Sequence, residues 1–149
     1  MEKVDVYELY SSLAPIILNA LLEFNETKFS AAAVDDDDVP ENLKSTSAPP
    51  KENKWDIDDN WFARWDYVLN EMIFAFQSIV DGTESMYHDD YWEGETDVYF
   101  DPVGDGEFSE LKAGPNHSRV FLEEKYDKIT ARIQNGLMLF GKYYRNLWI

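Results

Sequence analysis

Three stretches of the chain repeat their apolar positions every three or four residues, and two stretches between them do not. From Asp5 to Phe24, Val6, Leu9, Leu13, Ile17, Leu21 and Phe24 keep helical spacing, which predicts a helix over 5–24 with one buried face. Pro15 falls inside that pattern and has no backbone N–H, so a kink or a break is expected there. The run WFARWDYVLNEMIFAFQSIV, residues 61–80, gives the clearest helix, with Trp61, Trp65, Val68, Met72, Phe76 and Ile79 on one stripe. Asp58, Asp59 and Asn60 suit its start and Gly82 its end. Phe76→Asp is expected to unfold the domain by burying an unpaired charge.

A third helix is predicted over 118–147, where Leu122, Tyr126, Ile129, Ile133, Leu137, Phe140, Tyr144 and Leu147 recur. Glu123 and Glu124 lie early and Lys142 and Arg145 late, in keeping with the helix dipole. Gly136 and Gly141 each cost about 1 kcal/mol against alanine in a helix interior, which predicts close packing at both.

The intervening stretches read differently. Residues 30–53, SAAAVDDDDVPENLKSTSAPPKEN, combine four consecutive aspartates with three prolines and predict a solvated linker or draped loop, with an acidic contact arm as the functional alternative. On that reading Asp36→Ala should cost little. Residues 81–115 are expected to be mostly an acidic loop; TDVYFDP alternates weakly, and GEFSELKA admits a short β-hairpin across the turn PVGDG. The expected fold is therefore all-α: a single small domain of three to four helices, with a long acidic loop and a low-complexity linker.

Composition narrows the function classes. At 149 residues the chain suits one domain, and 44% hydrophobic residues with 5 Trp, 9 Tyr and 9 Phe can offset ordering entropy. Without cysteine there is no disulfide, thiolate nucleophile or cysteine-held zinc. The longest apolar run, Leu13 to Leu22, is too short to span a bilayer, and the start lacks a signal-peptide pattern, so a soluble protein of a host cytoplasm is expected, a virion location being the alternative. In such a chain the triplets at Asn25 and Asn116 are chance matches to a glycosylation signal.

Net charge is −17, and residues 1–118 hold 27 of the 30 acids but 7 of the 13 bases. A field of that sign repels nucleic acid and anionic membrane, and it attracts basic surfaces over roughly 8–10 Å at ordinary salt. Residues 81–110 are the extreme, with eleven acids and no lysine or arginine.

No motif names a reaction. DPVGDGEFSELK, from Asp101, starts like a calcium-binding EF-hand loop, but Val103 and Lys112 occupy positions that need oxygen ligands. Tyr87-His88-Asp89-Asp90 resembles half of a metal-hydrolase pair, in a chain whose only other histidine is His117. The better enzymatic alternative is an all-α metal-dependent nucleotide pyrophosphohydrolase, with Glu123, Glu124 and Asp127 facing Asp66 and Glu71. No cofactor or metal is expected.

Two segments carry a resemblance. WDYVLNEMIFAF, Trp65 to Phe76, and RIQNGLMLFGKYYRNLWI, Arg132 to Ile149, are similar to motifs of small uncharacterised proteins of tailed bacteriophages, in which two such helices flank a variable segment. The resemblance covers about 30 of 149 residues and implies a viral source and a helical core, with no assigned chemistry. Small acidic phage proteins commonly act on host enzymes or defence systems. Charge and resemblance together imply a protein-binding inhibitor that occupies a basic, nucleic-acid-binding surface of a host or phage protein, DNA mimicry included. The alternative is a structural or assembly component. The candidate contact residues are Asp89, Asp90, Tyr91, Trp92, Glu93, Glu95, Asp97, Phe100, Asp101, Asp105 and Glu107. The pattern carries no signal for oligomeric state.

Overall fold

Helix α1 (Leu9–Thr27), helix α2 (Trp61–Asp81) and helix α3 (Glu123–Tyr143) form the frame of the chain in a computed structural model that describes residues 4–149. Four strands accompany them: β1 (Trp92–Glu93), β2 (Val98–Val103), β3 (Phe108–Ala113) and β4 (Val120–Phe121). The fold is therefore not all-α. β1 pairs antiparallel with β4 and β2 with β3, making two two-stranded sheets. The strand signal is weak in the sequence because β2 and β3 are exposed on both faces, so no apolar/polar alternation marks a buried side.

The chain divides into two compact units, one running to Glu84 and resuming at Ile129–Ile149, the other comprising Ser85–Lys128; the division falls within α3. In the first unit, Ala14, Leu18 and Leu21 of α1, Trp65, Val68, Leu69, Met72 and Phe76 of α2, and Leu139 and Tyr143 of α3 form the core. Trp65 is its largest member, edge-on to Phe24 at 6.5 Å and to Tyr143 at 6.0 Å between ring centroids. The outer helices bury Leu21 and Ile133 as expected, but the rest of each buried face is shifted by about one residue from the expected stripe. Val6 and Leu9 are exposed, and in α3 Gly136, Leu139 and Tyr143 are buried, whereas Leu137 and Phe140 are half-buried and Tyr144 is exposed.

Pro15 does not divide α1, which runs through it as one helix. Ser11, whose carbonyl loses its partner four residues on, and Pro15 are both exposed, so water can satisfy that carbonyl. Gly136 and Gly141 differ sharply. A Cβ on Gly136 would collide with the Glu71 carbonyl oxygen and lie 2.7 Å from Ala75 Cβ, so its absence lets α3 approach α2; at Gly141 nothing lies within 4 Å. Gly82 ends α2 in the left-handed region, at φ 79°.

Residues 30–53 are fastened to the first unit by their polar groups. Val34 and Val39 are buried in the core. Asp35 and Asp38 both pair with Lys142, at 2.8 and 2.6 Å, and the Tyr143 hydroxyl donates to Asp38 at 2.5 Å. Asp36 accepts from the Ser45 backbone N–H at 2.8 Å and its hydroxyl at 2.5 Å, which holds its carboxyl below the usual range. Hence Asp36 is a fastening point, contrary to the expectation that its removal costs little. Buried Arg64 forms a two-pronged pair with Asp58, 2.7 Å on each arm, and donates to the Leu43 carbonyl at 3.2 Å. That pairing, opposed by desolvation, keeps the Asp58 carboxyl below its ordinary value.

Candidate partner-binding surface

Ser85–Lys128 is the unit that carries every residue of the candidate surface. Its two arms stay hydrogen-bonded well beyond the assigned strands. After β1 and β4 pair, with Trp92 opposite Phe121 and Glu93 opposite Val120, the Ser118 N–H donates to the Glu95 carbonyl at 2.9 Å and the Glu95 N–H to the Ser118 hydroxyl at 2.9 Å. Gly94, at φ 87°, passes against the Ser118 backbone where a Cβ would clash. Next comes a knot around Asp97. Its N–H donates to His117 Nδ1 at 3.1 Å, its carbonyl accepts from the Gly114 N–H at 2.7 Å, and its carboxylate accepts from the Asn116 N–H at 2.9 Å. Beyond the knot β2 and β3 pair from Val98–Ala113 to Val103–Phe108, and Gly104, Asp105, Gly106 and Glu107 close the turn. The expected acidic loop is thus one long interrupted hairpin.

At its base lies an aromatic cluster. Tyr91 is buried, edge-on to Tyr126 at 5.2 Å and to His88 at 6.3 Å, and burial pushes its hydroxyl above the ordinary tyrosine range. Trp92 lies 5.0 Å from Phe121, is covered by the Arg119 guanidinium at 4.9 Å, and donates from Nε1 to the Met86 carbonyl at 2.9 Å. Tyr91 and Trp92 are therefore committed to holding the unit together and do not serve as free anchors.

The carboxylates separate in the same way. Asp97 ties the knot, Asp105 accepts from the Glu107 N–H at 3.1 Å inside the turn, and Asp101 forms an ion pair with Lys112. Asp90 lies 3.6 Å from His88 Nδ1, and its carbonyl accepts from Lys125. Asp89, Glu93, Glu95 and Glu107 are exposed, with no side-chain partner among the described residues. Glu110, opposite Asp101 in the register, is a further exposed carboxylate, 3.9 Å from Lys112. The ion pair at Asp101 also disposes of the calcium-loop reading: the first ligand position is bonded to the lysine that stands at the last.

The tip has two faces. Because side chains alternate, Val98, Phe100 and Pro102 share a face with Ala113, Leu111 and Ser109, and no charge lies on it. Tyr99, Asp101 and Val103 share the other with Lys112, Glu110 and Phe108. Phe100 is 73% exposed, Phe108 71% and Leu111 62%. Leu111 and Phe108 were missed as contact residues; they lie on opposite faces of the tip, so no apolar/polar alternation singled them out.

Two of the five carboxylates of the enzymatic alternative are engaged elsewhere, while Glu123, Glu124 and Asp127 are exposed. Glu71 is buried and takes a forked pair from Arg132, at 2.9 to 3.2 Å, while Asp66 pairs with Lys28 at 2.9 Å. Among the described residues no helix is long and apolar enough to cross a membrane.

No protein-family model, curated protein or solved structure matches the chain.

Proposed function

We propose that the chain is a phage-encoded protein-binding module whose hairpin tip engages a basic, nucleic-acid-binding surface of a host or phage protein and blocks it. The observation that carries this reading is the tip itself. A two-stranded hairpin exposed over most of both faces is marginal in water, yet here it holds Phe100 and Leu111 on an uncharged face, and Phe108 beside carboxylates on the other, out in solvent. A partner that covers the aromatics and neutralises Glu93, Glu95, Glu107 and Glu110 relieves both costs.

Magnitudes decide how the two contributions divide. Residues 97–113 carry Asp97, Asp101, Asp105, Glu107 and Glu110 against Lys112, a net of four negative charges. Spread over about 20 Å of hairpin, that is one charge per roughly 5 Å, against one per roughly 1.7 Å of duplex DNA. Charge at a third of duplex density steers the encounter, and the apolar face supplies the specificity.

Affinity capture from a bacterial lysate tests the reading, using the wild-type chain, a variant with Glu93, Glu95, Glu107 and Glu110 changed to Gln, and Phe100→Ser with Leu111→Ser. The expected result is a partner that duplex DNA displaces, retained weakly by the neutralised variant and lost from the serine variant. A partner held equally by all three chains, or recovery of virion proteins alone, overturns the reading; the latter favours an assembly role.

A further inference from the structure

An open apolar cleft of about 310 Å³ lies between α1 and the end of α3, lined by Ile16, Leu21, Phe24, Phe140, Tyr144 and Leu147 among others. Most of these positions belong to the stripes whose period predicts core. Burial is centred on Ala14, Leu18 and Leu21 in α1 and on Leu139 and Tyr143 in α3, so Phe24, Phe140, Tyr144 and Leu147, all patterned for a core, become walls of a groove. Ile16 is 57% exposed and Tyr144 61%.

We propose that this groove docks an amphipathic helix of a partner protein, one with an apolar face and basic residues at its ends. The apolar half of the argument rests on α1. From Leu9 to Leu22 it has no charged residue, in a chain where 29% are charged, although Pro15, Ile16, Asn19, Ala20 and Leu22 face solvent. Fourteen residues span about 20 Å, the length of a four-turn helix laid alongside.

The charge half rests on what bounds that stretch. Glu8 precedes it, and Glu23 and Glu26 follow; all three are exposed, and none has an ion-pair partner among the described residues. Glu23 and Glu26 occupy the last turns of α1, at the negative end of its dipole, where a carboxylate is repelled. Lys28 does not relieve them, because its ammonium is taken by Asp66 and Asn25. Arg145, beside Tyr144, is a single cation against those three acids. A second copy of this chain would bring the same acids against those that bound this apolar stretch, so the charges favour a basic-ended helix over self-pairing. All these residues lie in the first unit, and the inference stands apart from the hairpin reading.

The probe is a fluorescein-labelled synthetic peptide of roughly 16 residues, with Leu and Ile at i, i+4 and i+7 and Lys at both ends. A scrambled peptide of the same composition and a Glu-ended version are the controls. At about 150 mM salt the patterned Lys peptide should bind in the micromolar range, about tenfold or more tighter than the scrambled one. Ile16→Asp and Tyr144→Asp, both at exposed positions and checked for fold by circular dichroism, should each weaken binding about tenfold. Glu23→Lys with Glu26→Lys should reverse the preference to the Glu-ended peptide. Equal binding of patterned and scrambled peptides, or unchanged binding by Ile16→Asp, overturns the proposal. So does a dimer in sedimentation that Ile16→Asp dissociates while no peptide binds, since the occupant is then a second copy.

Discussion

Tyr143 and Asp38, 105 positions apart, share a 2.5 Å hydrogen bond in which the buried phenol donates to a member of the four-aspartate run. The same hydroxyl accepts from the Asp35 N–H at 3.0 Å, and neighbouring Lys142 binds both carboxylates. Acids that would repel one another in a free linker are held to the third helix by a phenol and an ammonium.

Alkaline pH should release that fastening. Burial and the Asp38 bond push the Tyr143 hydroxyl from 10.0 up to about 12, and its carboxylate partners raise the Lys142 ammonium from 10.5. Both groups are raised in the fold, so their stabilisation is complete below pH 10 and declines as pH climbs through the raised values. Urea unfolding should lose roughly 2 kcal/mol of stability across that window. Tyr143→Phe should cost about 1–2 kcal/mol at neutral pH and flatten the alkaline decline.

Within the aspartate run, Asp36→Ala should lower the melting temperature and Asp37→Ala leave it unchanged. Asp36 holds Ser45 and lies 4.0 Å from the Arg64 Nε, a buried nitrogen with no hydrogen-bond partner, whereas Asp37 makes no side-chain hydrogen bond or close ion pair among the described residues and acts only at a distance on Lys44. Equal melting temperatures for the two variants would remove Asp36 from the fastening.

Two glycines of one helix should respond with opposite signs. Gly136→Ala forces a methyl into the Glu71 carbonyl and Ala75, backbone and core that cannot yield cheaply, and should cost more than about 2 kcal/mol. Gly141→Ala meets open space and should stabilise by about 0.5–1 kcal/mol. Thermal melts of the two variants check both.

Apolar periodicity made the three helices legible, because Trp65, Val68, Met72 and Phe76 repeat at the period of a buried face. In the outer helices it found Leu21 and Ile133 but missed Ala14 and Gly136, buried positions that carry little hydrophobic signal. The fastening of residues 30–53 was hidden because long-range bonds such as Tyr143 to Asp38 leave no local pattern. The hairpin was nearly invisible for a different reason. Its pairing is held by backbone bonds and the Asp97 knot, with apolar side chains on both faces, so composition pointed to acidic loop where geometry makes strands.

The hairpin unit should therefore separate stability from surface. Trp92→Ala removes the ring held by Phe121, Arg119 and the Met86 carbonyl, and Asp97→Ala removes the carboxylate that binds the Asn116 N–H. Each should loosen the 85–128 unit: large-to-small loss of a packed tryptophan costs about 3 kcal/mol, and loss of the carboxylate's bond to a backbone N–H about 1. Phe100→Ser and Glu107→Gln touch side chains that face solvent and should move stability by less than about 0.5 kcal/mol. Hydrogen exchange read peptide by peptide distinguishes the two classes. The first pair should speed exchange at the amides of Glu95, Gly114 and Ser118, and the second should leave those amides at wild-type rates. Fast exchange there in Phe100→Ser would mean that the exposed ring supports the fold, and the tip would then lose its standing as a surface kept for a partner.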